Sequence, residues 1–231
     1  MVAAARPRRD LSRSSDAGAR RRELLAEARL YFVCEALPGG QDPEALLRAA
    51  LGAGAQIVQL RDKTAGEELL ERSGATFARL AAEHDALFIV NDSPALARAL
   101  GADGVHLGQD DGELAAAREL LGPEAIIGLS THSPAQLAEA ARAGVADYAS
   151  VGPVWETPTK AGRPAVGLDL VRHAAATANL PFFAIGGIDT GNVGDVLDAG
   201  ATRIAVVRAI RDAADPAAVA RELRQALTGR G

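Results

Sequence analysis

The stretch that decides the fold is residues 87–107, LFIVNDSPALARALGADGVHL. Two short apolar runs, 87–91 and 104–107, have the length of buried β-strands, and a helix-length segment, 93–100, lies between them. Gly101 follows that segment, and glycine just after a helix supplies the left-handed conformation that turns the chain back into a strand. The stretch therefore predicts a strand–helix–strand unit with parallel strands.

The same unit repeats along the chain, and its junctions echo one another. Helix-length segments end at glycine in four places: Gly54-Ala55, Gly101-Ala102-Asp103, Gly144-Val145-Ala146-Asp147 and Gly200-Ala201. The pattern predicts eight strands, over residues 30–35, 55–60, 87–91, 104–107, 125–129, 147–151, 181–185 and 203–207. Eight such units in roughly 200 residues are typical of a small (β/α)8 TIM barrel. We therefore predict an α/β fold with one barrel domain over residues 23–231, rather than a doubly wound sheet, because no GxGxxG motif follows the first strand.

Charge is distributed unevenly along the chain. Residues 1–22 carry seven arginines and two aspartates, so a segment of net charge +5 precedes a body of net charge −10. The composition of this segment predicts a disordered Arg-rich tail, after which a short helix from Arg22 to Leu30 leads into the first strand. An acidic body argues against nucleic acid as a partner. With 48% hydrophobic but only 3% aromatic residues, the predicted core is aliphatic.

The single cysteine bears on the cellular compartment. Cys34 lies within an apolar strand run, so we interpret it as a small core residue. One cysteine excludes an internal disulfide and favours a cytoplasmic protein. No apolar segment approaches the roughly 18–20 residues of a membrane span, so no membrane partner is expected. The sequence leaves open whether the protein is a monomer or a homo-oligomer.

Polar residues gather at the carboxyl ends of the predicted strands, where a TIM barrel has its active site. Gln59, Arg61 and Lys63 alternate, so they share one face of an extended chain. An amide and two cations suit a neutral heteroaromatic ring with a polyanionic tail; an edge strand with solvated charges is the alternative. The next strand ends carry Asn91, Asp92, His106, Asp111, Ser130, His132, Trp155, Thr157, Thr159, Lys160, Gly186, Gly187 and Arg208. We interpret His106 as barrel filling.

Two further features suggest ligands of opposite charge. Asp92 and Asp111 follow neighbouring strands, and two carboxylates suit Mg2+, which keeps several waters. Each also precedes a predicted helix, so N-capping remains the alternative. Gly186 and Gly187 let a phosphate approach the backbone, and Arg208 offers a bidentate donor to it. A tight turn is the alternative for the two glycines.

Taken in order, these motifs resemble the thiamine-phosphate synthase family over residues 29–212. The resemblance is carried by QLRDK at 59–63, ND at 91–92, GADGVHLGQDD at 101–111, GLSTH at 128–132, GPV at 152–154, TPTK at 157–160 and AIGGI at 184–188. It implies a Mg2+-dependent transferase of thiamine biosynthesis with small-molecule substrates. The family condenses 4-amino-2-methyl-5-(diphosphooxymethyl)pyrimidine with a thiazole phosphate, giving thiamine phosphate and diphosphate by a dissociative substitution.

The resemblance also implies a role for each site residue. The pyrimidine diphosphate would be bound by Gln59, Leu60, Arg61, Asp62, Lys63, Asn91, Ser130 and Lys160. The thiazole phosphate would be bound by Thr157, Pro158, Thr159, Gly187, Val207 and Arg208. Catalysis would fall to Arg61, Lys63, Ser130 and Lys160, and the metal to Asp92 and Asp111. The segment 153–166 would serve as a lid.

The chain departs from the family at two places. Arg208 stands where the family commonly has serine, and Trp155-Glu156 where it has Phe-Pro, so Trp155 is interpreted either as stacking on the pyrimidine or as covering the loop. Three other functions remain: a thiazole tautomerase on the same barrel, a sugar-phosphate isomerase or lyase, and a sensor without catalysis. The full set of diphosphate-binding residues disfavours the tautomerase.

Overall fold

The computed structural model describes residues 11–157 and 164–229. Its eight strands are β1 Leu30–Cys34, β2 Ile57–Leu60, β3 Leu87–Asn91, β4 Gly104–Leu107, β5 Ile126–Thr131, β6 Tyr148–Val151, β7 Phe182–Ile185 and β8 Ile204–Val206. The helices are α1 Leu11–Glu27, α2 Glu44–Gly52, α3 Glu67–Glu83, α4 Pro94–Ala99, α5 Leu114–Leu121, α6 Pro134–Ala143, α7 Gly167–Thr177, α8 Val193–Asp198, α9 Arg208–Arg211 and α10 Pro216–Thr228. A 3-10 turn spans Pro38–Gly40.

The strands form a closed parallel barrel in chain order. Each strand pairs in parallel with the next, and β1 also pairs with β8, where Tyr31 lies opposite Ala205. The predicted TIM barrel is confirmed, and each of the eight predicted strands is present with bounds that differ by at most two residues. Within the described residues, no helix combines the length and apolar character needed to cross a bilayer.

The alternation of strand residues produces two apolar layers. The inner layer contains the strand residues Tyr31, Val33, Ile57, Leu87, Ile89, Ile126, Tyr148, Phe183 and Ala205, and Leu25 and Ala28, which precede β1, belong to the same apolar cluster. The layer between strands and helices is larger and mainly aliphatic, as predicted. Cys34 is buried in this outer layer with a free thiol whose pKa is raised by burial, so its interpretation as a core residue is confirmed.

The structure differs from the sequence prediction at the N-terminus. Helix α1 begins at Leu11, so residues 11–22 are helical where a disordered tail was expected; residues 1–10 lie outside the described part. Arg21 pairs with Asp103 at 2.8 Å, and Arg20 with Asp85 at 3.1 Å. Composition alone does not predict this helix, because the carboxylates that pair with its arginines lie far away in the sequence.

The echoing junctions have a common structural cause. Asp103 and Asp147, which follow two of the junction glycines, stand directly before β4 and β6. The Asp103 carboxylate accepts from the backbone N–H of Phe88 at 2.9 Å, and that of Asp147 from Ile127 at 2.8 Å. Each side chain thus satisfies a donor at the start of the preceding strand, on the face of the barrel opposite the carboxyl ends.

Arg118 ties several of these junctions together. Its guanidinium, on α5, is half-buried and donates to the Asp147 carboxylate at 2.7 Å. It also donates to three carbonyls, those of Gly122, Ala125 and Val145. Only a planar group with several fixed donors reaches four acceptors at once.

We expect Arg118→Met to lower the free energy of unfolding by about 2–3 kcal/mol, because it leaves buried acceptors without a donor. Urea denaturation followed by circular dichroism measures the change. Arg142→Met is the matched control, since Arg142 is exposed and pairs along its own helix with Glu139, and its expected effect is below about 0.5 kcal/mol. Equal effects of the two substitutions would contradict this role of Arg118.

Candidate active site

One cavity of about 550 Å3 opens at the carboxyl ends of the strands. Every strand or the loop that follows it contributes to the wall. The lining residues are Tyr31, Val33, Gln59, Arg61, Lys63, Asn91, Asp92, His106, Gly108, Asp111, Ser130, His132, Ser150, Pro153, Thr157, Ile185, Gly186, Gly187, Ile188, Asp189, Ala205, Val206, Val207, Arg208 and Ala209. The barrel end predicted to carry the site therefore does hold the cavity.

Gln59, Arg61 and Lys63 share one wall of this cavity, as their spacing predicted. Gln59 is buried inside the barrel, with 3% of its surface exposed. The Lys63 ammonium lies at the mouth, 2.9 Å from a carboxylate oxygen of Asp92. The alternative of a solvated edge strand is wrong, because a closed barrel has no edge and β2 is hydrogen-bonded on both sides.

The structure does not bring the side chains of Leu60 and Asp62 to the cavity. Leu60 points into the outer apolar layer, because successive strand residues face opposite sides. Partial burial acts to raise the pKa of Asp62, but hydrogen bonds from Thr64 and from the Ala65 amide lower it on balance. The Asp62 carboxylate accepts these bonds at 2.9–3.1 Å and so shapes its own turn.

Asp92 and Asp111 converge on one side of the mouth. The Asp111 carboxyl lies within hydrogen-bonding reach of Asp92 and accepts from the Gly108 amide at 2.8 Å. The capping alternative is wrong for both: Ser93 caps α4, and the residue at the N-cap of α5 is Glu113. Asp92 also has a φ of +62°, a conformation that non-glycine residues seldom adopt and that tends to mark functional sites.

The carboxylate pair is electrostatically unfavourable. Burial and the neighbouring carboxyl of Asp111 raise the pKa of Asp92, and only Lys63 opposes the shift. Two like charges held together in a partly desolvated site favour a bound cation. Carboxylate oxygens are hard ligands of the kind that Mg2+ takes, so the residues present fit that ion.

A continuous chain of hydrogen bonds crosses the barrel beneath the cavity. Gln59 bonds to the Tyr31 hydroxyl at 2.5 Å, which is 3.0 Å from the hydroxyl of Tyr148. Tyr148 in turn lies 3.0 Å from Nδ1 of His106, and Nε2 of His106 lies 3.0 Å from the Ser130 hydroxyl. The interpretation of His106 as a hydrogen-bonded residue inside the barrel is confirmed. Sequence reasoning missed the chain's two tyrosines, and their rarity is the signal that was available.

The opposite wall is formed by β7, β8 and α9. Gly186 has a φ of +106°, and a Cβ there would lie 2.5 Å from the Cα of Pro153. Glycine is therefore required by the turn and by packing against the loop after β6, which agrees with the tight-turn alternative. Gly187 and Arg208 still line the cavity. Arg211 pairs with Glu35 and so fastens α9 to the end of β1.

The loop after β6 is described only in part. Thr157 lines the cavity, whereas Pro158, Thr159 and Lys160 lie outside the described residues. Trp155 packs against the outer apolar layer and does not line the cavity. The structure thus agrees with Trp155 as a cover for the loop and does not place it where it would stack on a ligand.

Comparison with known proteins gives one consistent answer. The family model described as thiamine monophosphate synthase matches residues 30–210. A thiamine-phosphate synthase of Acidothermus cellulolyticus is 50% identical over 201 residues, which cover 86% of this chain and 94% of that protein. One of Mycobacterium bovis is 51% identical over 217 residues, covering 88% and 96%. A solved structure, the thiamine phosphate pyrophosphorylase of Pyrococcus furiosus, superposes with a TM-score of 0.80 at 33% identity, covering 91% of this chain and 98% of that one.

We expect Asp111→Asn to raise the melting temperature of the metal-free protein at pH 7 by roughly 2–4 °C, the shift that about 1 kcal/mol produces in a chain of this size. Asparagine keeps an acceptor for the Gly108 amide but removes the charge that raises the pKa of Asp92. The gain belongs to neutral pH, because a carboxyl whose pKa is raised on folding destabilises the protein once it is ionised. Calorimetry in EDTA measures the shift.

The control for this prediction is Asp110→Asn, the same chemical change at an exposed neighbouring residue that does not line the cavity. Its melting temperature is expected to stay within about 1 °C of the starting protein. A lower melting temperature for Asp111→Asn than for Asp110→Asn would show that the carboxylates do not repel each other.

Proposed function

We propose a function on the premise that this chain belongs to the thiamine monophosphate synthase family, whose model and half-identical relatives it matches over most of its length. The protein is a transferase that joins 4-amino-2-methyl-5-(diphosphooxymethyl)pyrimidine to a thiazole phosphate, giving thiamine phosphate and diphosphate. The observation that carries this proposal is the meeting of an amide, cations and paired carboxylates at one barrel mouth. Its substrates are small molecules, and its buried, reduced cysteine supports a cytoplasmic site of action.

Gln59 recognises the pyrimidine. A carboxamide presents a C=O acceptor beside an N–H donor, and the aminopyrimidine offers the complementary pair, an amino donor beside a ring nitrogen acceptor. Burial of Gln59 inside the barrel makes this pairing selective, because a ring without the complementary groups would leave the amide unsatisfied.

Arg61, Lys63 and Asn91, with Ser130, bind the diphosphate, and Lys160 joins them from the loop after β6. The C–O bond to the diphosphate breaks first, and the bonding electrons leave with the oxygen. The thiazole nitrogen then gives its lone pair to the pyrimidine methylene cation, which forms the new C–N bond. The positively charged side chains around the leaving group stabilise the negative charge that develops there. The predicted lid, segment 153–166, excludes water from the pyrimidine methylene cation.

Asp92 and Asp111 hold Mg2+ in this proposal. When bound, the ion supplies positive charge beside the diphosphate oxygens. Within the described part of the chain, no group of three His, Cys, Asp or Glu side chains is arranged to hold a metal. A pair of carboxylates suits an ion that completes its shell with water and substrate oxygens better than it suits zinc.

The wall formed by β7, β8 and α9 takes the thiazole phosphate. Gly187, Val207 and Arg208 line that side of the cavity, and Thr157 faces them from the loop after β6. Pro158 and Thr159 complete this set in the proposal. Arg208 replaces the serine common in the family and contributes a charged donor to the phosphate.

The diphosphate-binding residues separate this function from its alternatives. A thiazole tautomerase needs only the wall with Gly187 and Arg208, as does a sugar-phosphate isomerase or lyase. Arg61, Lys63 and the carboxylate pair serve neither reaction. A sensor would bind the pyrimidine diphosphate tightly without turnover, which calorimetry distinguishes from catalysis.

We expect the purified protein, given both substrates and Mg2+, to release one diphosphate for each thiamine phosphate formed. EDTA should abolish the release and added Mg2+ should restore it, because the carboxylate pair would lose its ion. A coupled diphosphate assay with chromatography of the product measures both. Full activity in EDTA would refute the metal assignment, and tautomerisation of the thiazole without diphosphate release would refute the synthase.

We expect Lys160→Ala to lower kcat by about 100-fold while the KM for thiazole phosphate changes less than threefold, because this cation acts on charge that appears during bond breaking. Steady-state kinetics with each substrate varied in turn measures the two constants. Arg172→Ala serves as a control, since this exposed arginine pairs with Asp169 on α7. An unchanged kcat in Lys160→Ala would remove this residue from the catalytic set.

A further inference from the structure

The mechanism above uses only the two ends of the hydrogen-bond chain beneath the cavity, Gln59 and Ser130. Between them lie Tyr31, Tyr148 and His106, all buried, with exposures of 2%, 0% and 7%. Burial raises the pKa of both phenols, so both tyrosines keep their protons at neutral pH. Each hydroxyl can therefore donate one hydrogen bond and accept another, so the chain of hydrogen bonds can run in either of two directions.

The direction is set at the Gln59 end. The carboxamide nitrogen can only donate, so the Tyr31 hydroxyl accepts from it and donates to Tyr148. In the order that starts from this donor, Tyr148 donates to Nδ1 of His106, which is then the unprotonated ring nitrogen. The proton of a neutral His106 then lies on Nε2, which is 3.0 Å from the Ser130 hydroxyl and 3.5 Å from that of Ser150, so Ser130 is the nearer acceptor. The Ser130 hydroxyl thus accepts a hydrogen bond from His106, and its own proton is directed away from His106.

The opposite direction would suit neither end of the site. If the Gln59 amide were turned around, its carbonyl would accept from Tyr31, and every bond would reverse until the Ser130 proton pointed at His106. Ser130 would then have no proton to give to an anion. In the direction that starts from the Gln59 N–H, one amide N–H serves Tyr31, while the carbonyl and the second N–H remain for an aminopyrimidine.

Gly128 supplies independent support for a chain that is built into the barrel. A Cβ at this position of β5 would lie 2.4 Å from the Tyr148 hydroxyl and 2.5 Å from Nδ1 of His106. Any other residue would therefore occupy the space in which these two groups meet. Phe183 holds both tyrosine rings from below by edge contacts at centroid distances of 5.4 and 5.5 Å. The tyrosine rings are thus packed within the barrel, while their hydroxyls are ordered by the hydrogen bonds.

We propose that Tyr31, Tyr148 and His106 are positioning residues, which orient the Gln59 amide towards the pyrimidine and keep Ser130 a hydrogen-bond donor to the diphosphate. The proposal rests on the proposed function and adds to it a coupling between the two ends of one substrate. Correct recognition of the ring at Gln59 and correct binding of the anion at Ser130 require the same proton order. None of the three residues takes a proton from the substrate.

The test is Tyr148→Phe, which removes one hydroxyl and keeps the ring. In the substrate-free starting protein, 15N-histidine NMR is expected to report a neutral His106 protonated at Nε2, with its signals assigned by their loss in His106→Asn. In Tyr148→Phe this single tautomer should give way to a mixture, because Nδ1 has lost its donor. The KM for the pyrimidine diphosphate should rise about tenfold, while the KM for the thiazole phosphate changes less than twofold.

Two further variants keep the proposal falsifiable. Phe183→Leu loosens the same ring cluster without removing a hydrogen bond, so it should lower stability and leave the His106 tautomer unchanged. Should Tyr148→Phe fail to fold, Tyr31→Phe breaks the chain one link earlier and should raise the same KM selectively. An unchanged tautomer in Tyr148→Phe, or equal rises of both KM values, would overturn the proposal. The NMR measurement needs no substrate, so a failed tautomer prediction is distinguishable from a protein that releases no diphosphate.

Discussion

The pairing of β1 with β8, in which Leu30 faces Ile204 and Phe32 faces Val206, closes the sheet and leaves it without an edge. Closure also forces all eight carboxyl ends into one ring. Polar residues that lie far apart in the sequence therefore meet around a single cavity, and most of them stand on a strand end or within a few residues of one. The site depends on this geometry more than on any one contact, because each wall is a strand end held by two neighbours.

Closure places the charged groups and the neutral groups of the site at different depths in the cavity. Lys63 reaches Asp92 at the mouth, while the carboxyl of Asp111 crowds the same residue from the next loop. Burial raises the pKa of Asp92, the Asp111 carboxyl raises it further, and the single ammonium of Lys63 offsets these effects only in part. Below them the residues are neutral hydrogen-bonding groups. Charged groups at the mouth and neutral hydrogen-bonding groups beneath them suit a substrate that has an anionic tail and an uncharged ring.

The sequence was sufficient for the barrel because one local signal, a glycine between a helix and the next strand, recurs at four junctions. It was also sufficient for Gln59, Arg61 and Lys63, whose spacing of two directly encodes a shared face. Leu60 and Asp62 were included through the motif and do not reach the cavity. The roles of Tyr31 and Tyr148 were beyond sequence reasoning, because their hydroxyls meet across the barrel between strands 1 and 6. Contacts of that kind depend on closure, and no local pattern records them.

Aspartate side chains have opposite roles at the two ends of the barrel. At the amino ends of the strands, the carboxylates of Asp103 and Asp147 each accept from a strand amide and from an arginine. Both carboxylates are therefore satisfied by donors that the fold itself provides. At the carboxyl ends of the strands, Asp92 adopts a left-handed backbone conformation and lies beside the carboxyl of Asp111. Strain and repulsion at one end are tolerable because the aspartates of the other end stabilise the strands they share. The barrel thus separates the residues that hold it together from those that line the cavity, and that separation lets the mouth keep an electrostatically unfavourable pair of carboxylates, which the proposed Mg2+ would relieve.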